Sequence, residues 1–207
     1  MFFAKFNKSC LITYLGVMFG VLAMYFAFTK MAFSDVEYVR FSLACLVVAG
    51  VCDMFDGKFA RACKRTEEEK EFGIQLDSLA DTFCFLAVPI VFMMSLGMLA
   101  WWDVLAYVLL VLCGVSRLGY FNIKADLDKA VKTYKGLPVT STAIIYPILG
   151  LFHTVVSPCV FNLIYLVTTF LVSFLMVVNI KIPKLTGVWY KIIPVLAAIL
   201  VGLLLFF

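Results

Sequence analysis

Charged side chains are scarce in this chain: they make up 14% of its 207 residues, against 64% apolar, and the mean hydropathy is +1.06. So little charge excludes a soluble fold, which could not hide that much apolar surface from water. The composition is that of an integral membrane protein with a helix-bundle core. Paired cysteine spacing is also lacking. The seven cysteines (10, 45, 52, 63, 84, 113 and 159) contain no C-x-x-C, which argues against disulfides or a zinc site. Most lie inside apolar runs and are expected to be small buried hydrophobes in a reducing setting. Internal repeats, low-complexity tracts and linkers are absent too, so residues 1–207 are read as a single integral-membrane domain.

What is present is a series of long apolar runs. Met1 to Ser9, with Phe2, Phe3, Phe6, Lys5 and Lys8, is expected to form a short interfacial anchor. Spans are then predicted over about 11–29, 36–61, 72–98, 100–121, 137–156, 159–179 and 188–207. The first is read as a membrane helix rather than a signal peptide, because no small-residue cleavage site follows it. Ser34 or Asp35 is a candidate cap for the second. Trp101, Trp102 and Trp189 sit at run ends, where indoles favour the headgroup level. The expected fold is all-α: a polytopic membrane bundle of about six to eight transmembrane helices.

Net charge is only +4, but its distribution is informative. With the N-terminus in the cytoplasm and seven alternating spans, 15 of the 17 Lys and Arg fall in cytoplasmic segments. Lys30 and Arg40 are the exceptions, so the positive-inside rule is nearly satisfied. This arrangement places the C-terminus outside.

Against this apolar background, Asp53-Met-Phe-Asp56-Gly57-Lys-Phe-Ala60-Arg61 is followed by Gly73-Ile-Gln-Leu-Asp77-Ser-Leu-Ala-Asp81. Spacings of three and four put each aspartate pair on one helix face. Each unpaired carboxylate costs about 2.5–3.5 kcal/mol on the membrane-insertion scale. Hard divalent cations relieve that cost, because they prefer oxygen ligands. Gly57 and Ala60 leave space beside the acids, and Arg61 offers a planar donor suited to phosphate. A phosphate-bearing substrate held against a metal pair is the chemistry this combination suggests. Intramembrane acids also mark cation pathways, so a cation transporter is the alternative outside enzymology; an Arg directed at phosphate argues against it. His153, the single histidine, falls far from the acids and reads as a buried neutral imidazole or an interface residue.

The pattern resembles the signature of the CDP-alcohol phosphatidyltransferase family, D-x2-D-G-x2-A-R-spacer-G-x3-D-x3-D, at every fixed position. The spacer, Ala62 to Phe72, is eleven residues, longer than is usual in the family. Its polar stretch from Thr66 to Lys70 predicts a surface loop. Phe72-Gly73-Ile74-Gln75-Leu76-Asp77-Ser78-Leu79-Ala80-Asp81 is similar to the phosphatidylserine synthase branch of the family, as are Ser116 to Asn122 and Lys135-Gly136-Leu137-Pro138. Tyr120 stands where that branch carries a second Arg.

The resemblance implies transfer of a phosphatidyl group from CDP-diacylglycerol to L-serine, giving phosphatidylserine and CMP. Glycerol phosphate, inositol phosphate and choline are the alternative acceptors. By position, Asp53, Asp56, Asp77 and Asp81 would hold two Mg²⁺ or Mn²⁺ ions, and Asp81 would be the catalytic base. Gly57, Arg61 and Thr13 would contact the CDP-lipid, although Thr13 also reads as a helix threonine bonded to its own backbone. Arg117, Asn122 and Lys135 would receive the acceptor; Arg117 can equally snorkel at a helix end, and Lys135 can meet anionic headgroups. Expected partners are CDP-diacylglycerol, L-serine, membrane lipids and a second copy in a homodimer, not nucleic acid. The expected location is the cell (inner) membrane, with the active site facing the cytoplasm.

Overall fold

A computed structural model describes residues 8–33, 37–127, 133–183 and 188–206. Ser34, Asp35 and most of the Met1–Ser9 segment lie outside the described residues. Among those described, six helical segments are long and apolar enough to cross a membrane. They are α1 (Leu11–Phe33), α2 (Glu37–Ala62), a third built from α3 (Glu67–Thr82) and α4 (Val88–Ser95), then α5 (Trp101–Leu127), α7 (Pro158–Val177) and α8 (Trp189–Phe206). The fold is thus a polytopic helical bundle.

The fifth apolar run differs from the seven-span reading. It forms a 3-10 turn at Val139–Ser141 and then α6 (Thr142–Gly150), which is nine residues long. At 1.5 Å per residue α6 rises about 14 Å, against a hydrocarbon core of about 30 Å. Beyond Gly150 the bonding tightens to three-residue turns, with Phe152 N–H on Leu149 O at 3.0 Å and His153 N–H on Gly150 O at 3.1 Å. The chain nevertheless returns to its starting side. Strand β1 (Thr133–Lys135) pairs antiparallel with β2 (Lys181–Pro183), in the register Tyr134 to Ile182. Gly136, at φ +75°, sends its N–H to Ile180 O at 2.9 Å, and Leu137 bonds Leu175 O at 2.9 Å. The start of the α6 limb is therefore tied to the end of α7, and the two run antiparallel.

The polar stretch after Arg61 also departs from expectation. Thr66 caps α3, accepting from Glu69 N–H at 3.3 Å while the Glu69 carboxylate accepts from Thr66 N–H at 2.8 Å. This reciprocal capping box, in a helix with three glutamates at its positive end, turns Glu67–Lys70 into the first helical turn instead of a loop. A Thr66→Ala change would cost about 1 kcal/mol.

Packing follows membrane rules. Lipid tails leave little hydrophobic drive between helices, so close approach and interhelical bonds must hold them together. The buried stripe of α1 is Thr13, Gly16, Gly20, Ala23 and Ala27, and α2 lies along it. A methyl at Gly20 would come within 2.9 Å of Cys84 Sγ. Ser42 Oγ donates to Ala23 O at 2.8 Å across the α1–α2 contact. Leu46, Phe85, Leu86, Leu110 and Val139 form one core cluster. Leu43, Phe92, Met93, Tyr146 and Tyr165 form a second, nearer the other end. Outward residues such as Met18, Tyr25 and Phe28 are exposed, as lipid-facing positions require. All seven cysteines are free; Cys10, Cys52 and Cys84 are buried, whereas Cys159 is exposed at the start of α7.

Candidate active site

Hairpin geometry brings the signature together. α2 carries Asp53 and Asp56 near its end, and α3 runs back past them with Asp77 and Asp81. Asp53 faces Asp81 and Asp56 faces Asp77, each pair at hydrogen-bonding approach. One oxygen each of Asp53, Asp56 and Asp77 lies within 4.8 Å of the others. Asp81 is not in that trio but adjoins Asp53. Asp56 and Asp81 are buried.

Thr13 reaches the same place from α1: its hydroxyl donates to Asp56 Oδ2 at 3.1 Å. Its side chain therefore serves a carboxylate on another helix. Thr13, Ala49, Asp53, Asp56, Asp81 and Cys84 are among the residues lining a shallow, open cleft. Arg117 of α5 lies close enough for its charge to act on Asp53 and Asp81. Asn122 Nδ2 donates to Ser78 Oγ at 2.8 Å, joining α5 to α3 beside Asp77. Arg61 is exposed one turn beyond Gly57. Lys135 belongs to β1, opposite Lys181, and its side chain lies outside what is described.

Two features had no counterpart in the sequence reading. Ser78 anchors Asn122; its only signal was its place between Asp77 and Leu79. Directly after Asp81 and Thr82, Phe83–Ala87 forms a π-helical turn, closed by Val88 N–H on Phe83 O. Thr142 Oγ1 donates to Phe85 O within that turn at 2.9 Å. A π-turn resets the register of the faces before and after it. Here it separates the acid-bearing face of α3 from the core-packing face of α4.

The donor set defines the chemistry. Two unit charges 4 Å apart repel by about 4 kcal/mol at an effective dielectric constant of 20. Four clustered carboxylates therefore call for protons or cations beyond the single Arg117 charge. The set is all oxygen and includes a trio within one coordination distance, which fits a hard divalent cation. Space also remains beside it: a methyl built on Gly57 would meet nothing nearer than Arg61 Nη1 at 3.7 Å. Gly57→Ala should accordingly keep normal membrane abundance. If the nucleotide approaches that face, turnover should still fall by about 10²-fold, the scale of a small misplacement of substrate. Membrane immunoblots alongside initial rates check both halves.

Fold and site together define an integral membrane protein with an oxygen-only, metal-compatible acid cluster at one end of its helices. The family model described as CDP-alcohol phosphatidyltransferase matches residues 6–178, and the chain belongs to that family. It is 33% identical over 123 residues to the CDP-diacylglycerol–serine O-phosphatidyltransferase of Saccharomyces cerevisiae, covering 56% of this chain and 43% of that protein. It is 32% identical over 100 residues to the archaetidylserine synthase of Methanothermobacter thermautotrophicus, covering 48% of this chain and 41% of that protein. The matched stretch spans less than half the length of either relative.

Proposed function

We infer that this chain transfers the phosphatidyl group of CDP-diacylglycerol to L-serine, yielding phosphatidylserine and CMP. The observation that carries this reading is the convergence of the four signature aspartates from two helices into one cluster. Both relatives' names support serine as the acceptor.

In this reading Gly57 leaves room for the nucleotide and the Arg61 guanidinium binds its phosphates. Asp81 takes the proton from the serine hydroxyl as that oxygen bonds to the phosphatidyl phosphorus and the bond to CMP breaks. Two divalent cations, held by Asp53, Asp56 and Asp77 with Asp81, would supply the positive charge that a pyrophosphate and its leaving group need. Thr13 fixes the orientation of Asp56. Arg117 receives the serine carboxylate, Asn122 the polar head, and Lys135 adds positive charge at the same end. Residues 1–207 act as one domain: α8, beyond the family match, packs on α2 and sets Tyr190 beneath Lys58, 5.6 Å from the ring centre. The experiment that tests the acceptor is lipid-product analysis with serine, glycerol phosphate, inositol phosphate and choline offered in parallel. Serine should give the dominant product; another dominant product would reassign the acceptor.

Kinetics provide a sharper check. Arg117→Lys should raise the KM for serine much more than the KM for CDP-diacylglycerol, because an ammonium cannot reproduce the two parallel bonds of the guanidinium fork. Equal losses for both substrates would make Arg117 a structural residue.

The site faces the cytoplasm in this reading. Among the described residues Lys8, Lys58, Arg61, Lys64, Arg65, Lys70, Arg117 and Lys191 lie toward the acid end, and Lys30 and Arg40 toward the other. With the native cysteines replaced, Glu67→Cys should resist an impermeant thiol reagent in intact cells, and Leu99→Cys should react. The reverse pattern would invert the orientation.

A further inference from the structure

A second cleft lies at the opposite end of the bundle from the aspartates. Val39, Arg40, Gly150, His153, Thr154 and Leu204 are among the residues lining this shallow, partly open cleft. His153 stands in the turn between α6 and α7, with its ring edge-on to Phe161 at 4.9 Å. Its Nδ1 is buried without a hydrogen-bond partner, a state that leaves a polar atom stripped of water and uncompensated. Two cations converge on the imidazole, since the charges of both Lys30 and Arg40 reach it. Burial, then Lys30, then Arg40 hold His153 below its ordinary value. Lys30 is fixed by its bond to Ser95 O at 2.7 Å.

We propose that this cleft binds a phosphate group, that of a phospholipid headgroup in the leaflet opposite the active site, using Arg40, His153 and Thr154. The three side chains offer a charged fork, an imidazole N–H and a hydroxyl, which together match a tetrahedral anion. Leu203, an exposed residue of the same lining, suits the glycerol and upper acyl chain. None of these residues belongs to the transfer reaction inferred above.

The single histidine makes the test direct. Protein with ¹³C-labelled histidine, purified through a tag free of histidine into maltoside micelles and phosphate-free buffer, gives one set of imidazole signals. Short-chain phosphatidylglycerol, short-chain phosphatidylcholine, inorganic phosphate and a phosphate-free diacylglycerol are titrated separately. Saturable movement of the His153 signals with the phospholipids, lost in Arg40→Gln and kept in Arg40→Lys, is the expected result. Movement with inorganic phosphate as well would support a phosphate site that does not need the lipid. No saturable movement with any phosphate compound, an equal response to diacylglycerol, or an unchanged response in Arg40→Gln would overturn the proposal. CMP release by Arg40→Gln, expected near wild type, reports that the variant is folded.

Discussion

Asp56→Ala or Asp77→Ala should abolish CMP release from CDP-diacylglycerol while the protein still reaches the membrane at wild-type abundance. Both positions belong to the oxygen trio within 4.8 Å, and removing one ligand of three leaves a divalent ion poorly held. The fold should survive because this end of the hairpin is crowded with like charges, so deleting a carboxylate relieves repulsion. Asp56→Ala also strands the Thr13 hydroxyl, which can turn back to its own helix at little cost. Activity and abundance should therefore separate cleanly. Substantial turnover in either variant, at equal abundance by immunoblot, would remove the metal-site model.

Asp81→Asn should produce a different defect. The amide preserves shape and one acceptor oxygen but cannot accept the serine proton. Loss of a general base typically costs about 10²–10⁴-fold in rate. Asp81 adjoins Asp53 but lies outside the trio, so some CDP-lipid binding should persist, with a larger loss of rate if a cation is released as well. Binding measured by retention of a labelled CDP-lipid, beside single-turnover rates, distinguishes the two classes. Turnover near wild type in Asp81→Asn would exclude it as the base.

Most of this site is legible in the sequence because its residues lie close together along the chain. Asp53 through Asp81 need only one hairpin to meet, and helical spacing already assigns each pair a face. Contacts that require tertiary placement were less visible. Thr13 lies 43 residues before Asp56, and nothing local distinguishes its hydroxyl from one bonded to its own helix. The Ser78–Asn122 bond spans 44 residues and depends on how α5 crosses α3. Glu67–Lys70 has the composition of a loop, but the capping box at Thr66 and Glu69 outweighs that signal. The short α6 is the clearest departure. Hydropathy alone gives residues 137–156 the weight of a full span, whereas the tight turns after Gly150 end the regular helix. The π-turn after Thr82 left no sequence trace, because it satisfies the packing of Phe85 and Thr142 rather than a local preference.

Divalent-metal-dependent phosphatidyl transfer to serine at the aspartate cluster is the reaction proposed for this chain. Its most direct test is CMP release from CDP-diacylglycerol by the purified protein, measured with and without Mn²⁺ or Mg²⁺ and with and without L-serine. Release that requires both a divalent cation and serine, accompanied by formation of phosphatidylserine, is the predicted result. Serine-dependent release that persists undiminished after chelation of all divalent metal would contradict the account.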